Sequence, residues 1–232
     1  MSRKFKKHIA LIPAFNEERN IEEVILHMRK HPHIDVIVID DGSTDTTPEI
    51  VKRMGVILVR HEVNKGKGEA LNTAFRYILK NHRRAKYVVL IDADLQYHPN
   101  DAWKLLEPLE NGEADFVMGY RNFKRMPFRH VLGNFVWRTF FNTMFGTDFP
   151  DTNCGYMAMT TDAIKKIGRV HGGYIIENSM LAQSVRKHLR VKHVGVKVSY
   201  KHISEVPRGI RVVAGVLIYI FTEGFKYRLG IK

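Results

Sequence analysis

Four apolar residues running straight into two carboxylates constrain this chain more than any other feature. Val88-Val89-Leu90-Ile91 is mostly β-branched and predicts a short buried strand. Asp92 and Asp94 follow at once, with Ala93 between them and Gln96 close behind. Packing does not explain acids there, because an ionised carboxylate taken out of water without a partner is costly. At the C-terminal end of a strand in an open α/β sheet, where ligands bind, they have a use. Asp92 and Asp94 can share one hard divalent cation, Mg²⁺ or Mn²⁺, and Gln96 adds a neutral oxygen. A cation held there could in turn bind a diphosphate. The alternative is an Asx-rich turn that merely ends the strand.

The chain on either side repeats the pattern. Ile9 to Phe15 reads as a first strand, ending in Pro13-Ala14-Phe15-Asn16-Glu17. Ile21, Val24, Ile25 and Met28 then form the stripe of an amphipathic helix. Val36 to Ile39 is a second strand and also ends in acids, Asp40 and Asp41. Asp45 is placed to cap a helix starting near Thr46. Val56 to Val59 is a third strand, and Lys65-Gly66-Lys67-Gly68 opens a helix carrying Ala70, Leu71, Ala74, Phe75 and Ile78. Tyr87 to Ile91 is the fourth strand, Pro99 to Glu110 a helix, and Asp115 to Met118 a fifth strand ending in Gly119-Tyr120-Arg121. Strands alternating with helices predict an α/β fold with a mostly parallel sheet.

Three strands therefore deliver polar residues to one edge of that sheet: Asn16 and Glu17, Asp40 and Asp41, Asp92 and Asp94. Neither the dinucleotide fingerprint G-x-G-x-x-G after the first strand nor the P-loop motif is present. The pattern suits a nucleotide-like site that uses a metal in place of a glycine-rich loop. The loop carrying Lys65 and Lys67 could bind an anion or be a solvated basic turn.

Composition narrows the partners. The 232 residues, 44% hydrophobic and 26% charged, suffice for a sizeable core. Cys154 is the only cysteine, so no intrachain disulfide forms. The N-terminus is a poor signal peptide, and no apolar run reaches the roughly 18 residues of a spanning helix. A net charge of +13 points to polyanionic partners: nucleic acid, anionic lipid or phosphorylated substrates. Acids at strand ends repel a bare phosphate groove, which argues against nucleic acid. The twelve histidines form no His-Glu-x-x-His or Cys-His cluster.

Pro-Ala-Phe-Asn-Glu at 13–17, Asp-Asp-Gly-Ser-Thr-Asp-Thr-Thr at 40–47, Asn-Lys-Gly-Lys-Gly at 64–68 and Asp-Ala-Asp-Leu-Gln at 92–96 together resemble the family 2 glycosyltransferases of GT-A fold. Within that family the chain resembles the dolichyl- and polyprenyl-phosphate sugar synthases, such as the dolichol-phosphate mannose synthases. The resemblance implies a nucleotide-sugar donor of GDP-mannose or UDP-glucose type, a divalent metal and inversion at the anomeric carbon. It implies that Pro13, Phe15 and Glu17 line the nucleoside pocket and that Asp40 or Asp41 accepts hydrogen bonds from the base. Lys67 and Ala93 would belong to the donor site, and Asp92, Asp94 and Gln96 would hold the metal against the diphosphate.

The second half concerns the acceptor. Residues 121–147 contain no acid but hold Arg121, Lys124, Arg125, Arg129 and Arg138 amid seven aromatic residues. That mixture suits a helix lying in a membrane interface, single-stranded nucleic acid, or a core helix with a basic edge. The resemblance favours a lipid phosphate, with Arg121 and Arg129 as its ligands. In the mannose synthases a serine often follows the second arginine by four positions; here Gly133 stands there. A phosphate acceptor is already a dianion and needs no general base. A hydroxyl acceptor needs one, and Glu177 is the candidate. Asp151 precedes the pair Gly155-Tyr156 and could orient the acceptor or cap a turn. Arg208, in a loop that in the family can close over the donor, is a candidate phosphate contact.

The expected organisation is a catalytic unit over 1–206, with a donor half at 1–121 and an acceptor half at 122–206. An amphipathic C-terminal helix over 207–232 would follow, lying on the membrane, on the core or against a second subunit. The expected location is the cytoplasmic face of a membrane, held peripherally. The oligomeric state is left open.

Overall fold

The computed structural model of the chain describes residues 7–31, 33–122, 128–199 and 210–231. Its strands are β1 (His8–Ala14), β2 (Ile34–Asp40), β3 (Ile57–Arg60), β4 (Tyr87–Leu90), β5 (Phe116–Arg121), β6 (Met157–Thr160) and β7 (Val191–Val196). They form one sheet in the order β3-β2-β1-β4-β6-β5-β7. All pairings among these seven strands are parallel except those of β6, which runs antiparallel to β4 and β5. Every residue of β1 and β2 is buried, so both faces of the sheet are covered, as their unbroken apolar runs require.

The helices are α1 (Ile21–Arg29), α2 (Thr47–Arg53), α3 (Lys67–Asn81), α4 (Ala102–Glu110), α5 (Phe128–Phe145), α6 (Thr161–Ile167), α7 (Ile176–Arg186) and α8 (Ile210–Arg228). The α1 stripe of Ile21, Val24, Ile25 and Met28 is fully buried, as its spacing predicts. At the start of α2 the Asp45 carboxylate accepts the Thr47 N–H at 3.0 Å and the Glu18 N–H at 3.1 Å. It thereby caps that helix and ties it to the loop after β1. Residues 99–101 form a 3-10 turn ahead of α4, where the sequence predicts helix throughout.

Two connections position the site. The chain leaves β1 for β2 and β3 on one side, then returns to β4 on the other side of β1. That reversal opens a crevice past the C-terminal ends of β1 and β4. Register does the rest. Leu11 pairs with Leu90, which brings Pro13 level with Asp92 two residues on. Ala14 pairs with Asp40, and the Asp41 N–H donates to the Ala14 carbonyl at 2.9 Å.

The C-terminal helix is not a free-standing segment. Val216 and Ile220 of α8 join the same core as Trp137, Phe141 and Phe145 of α5. Close approach of α8 to α5 needs Gly224, since a Cβ there would stand 2.6 Å from Met144 Cβ. Glu223, the one acid of the tail, is buried and paired with Arg186 of α7 and with Lys226. What α8 leaves outside is an apolar stripe at helical spacing: Ala214, Ile218, Phe221, Phe225 and Leu229. Ile218, Phe221 and Phe225 are 65%, 52% and 51% exposed, and on α5 Phe135 and Val136 are exposed as well. Among the described residues no helix is long and apolar enough to cross a membrane.

Candidate active site

The crevice past β1 and β4 is a cleft of about 400 Å³. Pro13 and Phe15 line it from the end of β1, Asp41 from the end of β2, and Asp92, Ala93 and Asp94 from the end of β4. Glu17, Asn64, Gly66, Lys67 and Ala70 line it as well. These are the polar strand ends that the sequence sends to one edge, now joined to the N-terminus of α3. Gly66 has φ +86°, a conformation that favours glycine, and it turns the chain so that α3 begins at Lys67. The electropositive end of a fifteen-residue helix thus opens beside three strand-end carboxylates.

The turn after β4 holds its acids by backbone geometry. Leu95 has φ +57°, and the Asp94 Oδ1 accepts the Gln96 N–H at 3.0 Å. The Asx turn considered from sequence is therefore present, and it coexists with a place on the cleft wall. Lys67 lies over the same acids, with Nζ 2.6 Å from Asp92 and 3.7 Å from Glu177. Burial alone would lower the Lys67 pKa, but Asp92 and Glu177 raise it above its ordinary value. Burial and the neighbouring Asp92 push Asp94 up to about 6. Burial also raises Glu17, with Asp92 and Asp45 adding to it against a hydrogen bond from Asn20. Gly155 backs the group: a Cβ there would stand 2.9 Å from the Asp92 Oδ2.

This donor set suits a hard divalent cation. The cleft carries the carboxylates of Glu17, Asp41, Asp92 and Asp94 against the single ammonium of Lys67. Burial raises the Asp94 pKa first, and the charge of Asp92 adds to it. Among the described residues no three acidic, histidine or cysteine side chains converge into a complete metal cage. Mg²⁺ and its relatives do not require one, since they are commonly held by one or two carboxylates plus substrate phosphates and water.

The remaining predicted residues fall out unevenly. Asp40 does not line the cleft: it is fully buried, 2.8 Å from the Arg60 Nε, and accepts the Ser43 N–H at 3.1 Å. Gln96 is also off the lining, although its neighbour Asp94 is on it. Glu177, the candidate base, lies in the first turn of α7, within reach of Lys67.

Arg121 is held by a partner within the chain. Its guanidinium fork, predicted to grip a phosphate, already grips Asp151, with Nε 2.7 Å from Oδ2 and Nη2 2.9 Å from Oδ1. Nη2 also reaches Asn134 of α5 at 3.1 Å. Despite burial, which would lower it, the Arg121 pKa is raised by Asp151. Asn153 continues this network from Asn134 to Asn178 of α7. Arg129 falls on the first turn of α5, where the backbone alone is described. Arg208 lies outside the described residues.

Sequence reasoning gave Asn64 and Gly155 no role of their own, though both stand in its motifs, and it missed the fixing of Asp41. The Asp41 Oδ1 accepts from His61 Nδ1 at 2.7 Å and from the Lys65 N–H at 3.0 Å, and Oδ2 accepts the Gly66 N–H at 2.7 Å. The signal was a histidine four residues before Lys65, hidden among eleven others.

Comparison with known proteins agrees with this architecture. The family model described as Glycosyl transferase family 2 matches residues 9–168. An uncharacterised protein of Methanocaldococcus jannaschii is 34% identical over 90% of this chain and 87% of its own length. The UDP-N-acetylglucosamine–dolichyl-phosphate N-acetylglucosaminyltransferase of Methanococcus voltae is 29% identical over 90% of this chain and 92% of its own length. Among solved structures, the Mycobacterium tuberculosis glucosyl-3-phosphoglycerate synthase in complex with Mn²⁺, uridine diphosphate and phosphoglyceric acid shares the fold. Its TM-score is 0.74 at 22% identity, over 98% of this chain and 80% of that one.

Proposed function

The chain belongs to glycosyltransferase family 2, and from that premise we propose that it transfers a hexose from a nucleotide sugar to a dolichyl or polyprenyl phosphate, with inversion. The observation that carries this reading is the cleft itself: Asp92, Asp94 and Lys67 meet the N-terminus of α3 beside the Pro13-Phe15 wall. The M. voltae relative, whose name gives a dolichyl-phosphate acceptor, supports it over nearly the full length of both chains.

In this reading Pro13 and Phe15 flank the nucleoside and Asp41 accepts from its base. The diphosphate lies against the α3 N-terminus, where backbone N–H groups and the helix dipole favour an anion. Lys67 then exchanges its Asp92 partner for a phosphate oxygen. Asp92 and Asp94, with Gln96 beside them, would hold Mg²⁺ or Mn²⁺. When bound, that cation offsets the charge developing on the departing nucleotide diphosphate. The acceptor phosphate, largely dianionic at neutral pH, attacks the anomeric carbon without surrendering a proton to the protein.

A second reading keeps the donor site and gives the acceptor a hydroxyl, with Glu177 as base. It is favoured by one observation, the position of Glu177 beside Lys67 and Asp92. The two readings part on one variant. With a phosphate acceptor, Glu177→Gln keeps turnover within about tenfold of wild type, because no base is needed. With a hydroxyl acceptor, turnover falls by about 10²–10⁴ while donor binding is unchanged. Steady-state kinetics on the two acceptor classes measures the difference.

Contact with a membrane follows from the same reading. The outer stripe of α8 is apolar, its one acid is turned inward, and Arg228 and Lys226 flank it. An anionic leaflet attracts each nearby basic residue by about 1 kcal/mol. Removing α8 would strip Val216 and Ile220 from the core, so the test is a surface change. The double variant Phe221→Ser, Phe225→Ser is expected to lose at least about tenfold in partition to anionic liposomes, from lost apolar burial. Flotation at low and high salt checks it; binding that is unchanged in the variant, or equal with neutral vesicles, would make the stripe a face for something other than lipid.

A further inference from the structure

We propose that the base of the donor nucleotide is uracil and that His61 makes it so. The inference rests on the reading of the cleft as a nucleotide-sugar site. A carboxylate has about four acceptor positions, two on each oxygen. On Asp41 three are taken: Oδ1 by His61 Nδ1 and the Lys65 N–H, Oδ2 by the Gly66 N–H. Oδ1 is therefore full, and a ligand meets a single remaining acceptor on Oδ2.

That arithmetic selects among bases. Uracil presents one ring N–H between two carbonyls, an edge it shares with its 5-methyl analogue thymine, and one acceptor satisfies it. Guanine presents a ring N–H and an amino group side by side, and a carboxylate takes that pair only with both oxygens. With Oδ1 full, one guanine donor stays unpaired against the buried Asp41 carboxylate, and an unmet donor is costly. Cytosine and adenine present an unprotonated ring nitrogen on this edge, whose lone pair the carboxylate repels. Asn64 lines the same cleft with its Oδ1 engaged by the Gly66 N–H, so its amide N–H₂ is the group suited to a uracil carbonyl.

His61 sets the count. It is buried between Asp41 and Thr73, with Nε2 2.9 Å from the Thr73 Oγ1. Arg76 donates to that Oγ1 at 3.2 Å, so the Thr73 hydroxyl is suited to donate to Nε2. The ring proton then sits on Nδ1 and fills Oδ1. His61 is a positioning residue that acts through Asp41.

The test is calorimetric titration of the full chain with UDP and with GDP in Mn²⁺. UDP is expected to bind tighter by about tenfold or more, the effect of one unmet donor. His61→Leu empties one position on Oδ1 and is expected to bring the two nucleotides to within a few-fold of each other. His61→Asn, which carries an amide N–H near the place of Nδ1, is expected to keep the wild-type preference. A merely structural histidine would weaken both nucleotides alike and leave their ratio unchanged, which would overturn the part given to His61. If the leucine variant does not fold, His61→Phe, which likewise lacks a donor at the place of Nδ1, replaces it with the same expected narrowing of the ratio, and an unchanged ratio would again overturn the part given to His61. GDP binding as tightly as UDP to the wild type would overturn the uracil assignment and leave metal-dependent nucleotide binding standing. Failure of both to bind in Mn²⁺ would overturn the nucleotide-sugar reading, and this inference with it.

Discussion

Asp94→Asn is expected to lower sugar transfer about a thousandfold with no loss of thermal stability, since in the proposed reading the variant removes a charged metal ligand and keeps its shape. The asparagine Oδ1 can still accept the Gln96 N–H that holds the turn. Its effect on stability follows from the sign of the pKa shift. Asp94 is raised in the folded state to about 6, from an ordinary value of 3.8. Its ionised form is therefore disfavoured by folding, and the resulting loss of stability is complete above about pH 6. A neutral side chain avoids that loss, so the melting temperature at neutral pH is expected to be unchanged or higher. The same shift makes protons compete with metal: affinity for Mn²⁺ is expected to fall as pH drops through about 6. Activity, melting temperature and Mn²⁺ titration on one preparation check all three. A variant that keeps most of its activity would remove Asp94 from the metal site.

Asp151→Ala is expected to cost about 3 kcal/mol of stability, because it strands the largely enclosed Arg121 guanidinium, whose side chain is 15% exposed. For a chain of this size that is a fall of roughly 10 °C in melting temperature. The pair joins the end of β5 to the 151–155 turn, and Asn134 and Asn178 carry the network on to α5 and α7. Loss of the pair should loosen the packing of α5 and α7 while leaving the cleft past β1 and β4 intact. Donor binding in the variant, measured below its melting temperature, is expected to stay within a few-fold of wild type. If Arg121 instead serves mainly as a ligand for the acceptor phosphate, stability holds and the Michaelis constant for the acceptor changes alone. Thermal unfolding with acceptor kinetics separates the two.

The first half of the fold was legible because its signals are local. A strand that ends in acids puts them at the sheet edge by chain direction alone, and parallel pairing sets Pro13 beside Asp92. Asp40 and Asp41 show where such reading stops. Adjacent strand residues point to opposite sides, and which one faces the cleft depends on Arg60, His61 and the Lys65-Gly66 loop. Arg121 shows the same limit in the other half. A basic residue in an acid-free stretch reads as available to a ligand, yet its partner Asp151 comes from thirty residues away in the chain. Strands β6 and β7 left little trace. Met157–Thr160 is four residues long, and Val191–Val196 carries lysine, histidine and glycine among its valines at the sheet's edge. In α8 the hydrophobic pattern runs round most of the helix, so the inward face of Val216, Ile220 and Glu223 appears only once α5 and α7 are in place.

The most direct measurement is transfer of labelled sugar from UDP- and GDP-hexoses to a short-chain polyprenyl phosphate, extracted into organic solvent, with Mn²⁺, with Mg²⁺ and with excess chelator. The predicted result is a lipid-soluble glycosyl phosphate of inverted anomeric configuration, formed only with a divalent cation and abolished by chelator. Full transfer in chelator, or transfer to hydroxyl acceptors with none to the lipid phosphate, would contradict the account.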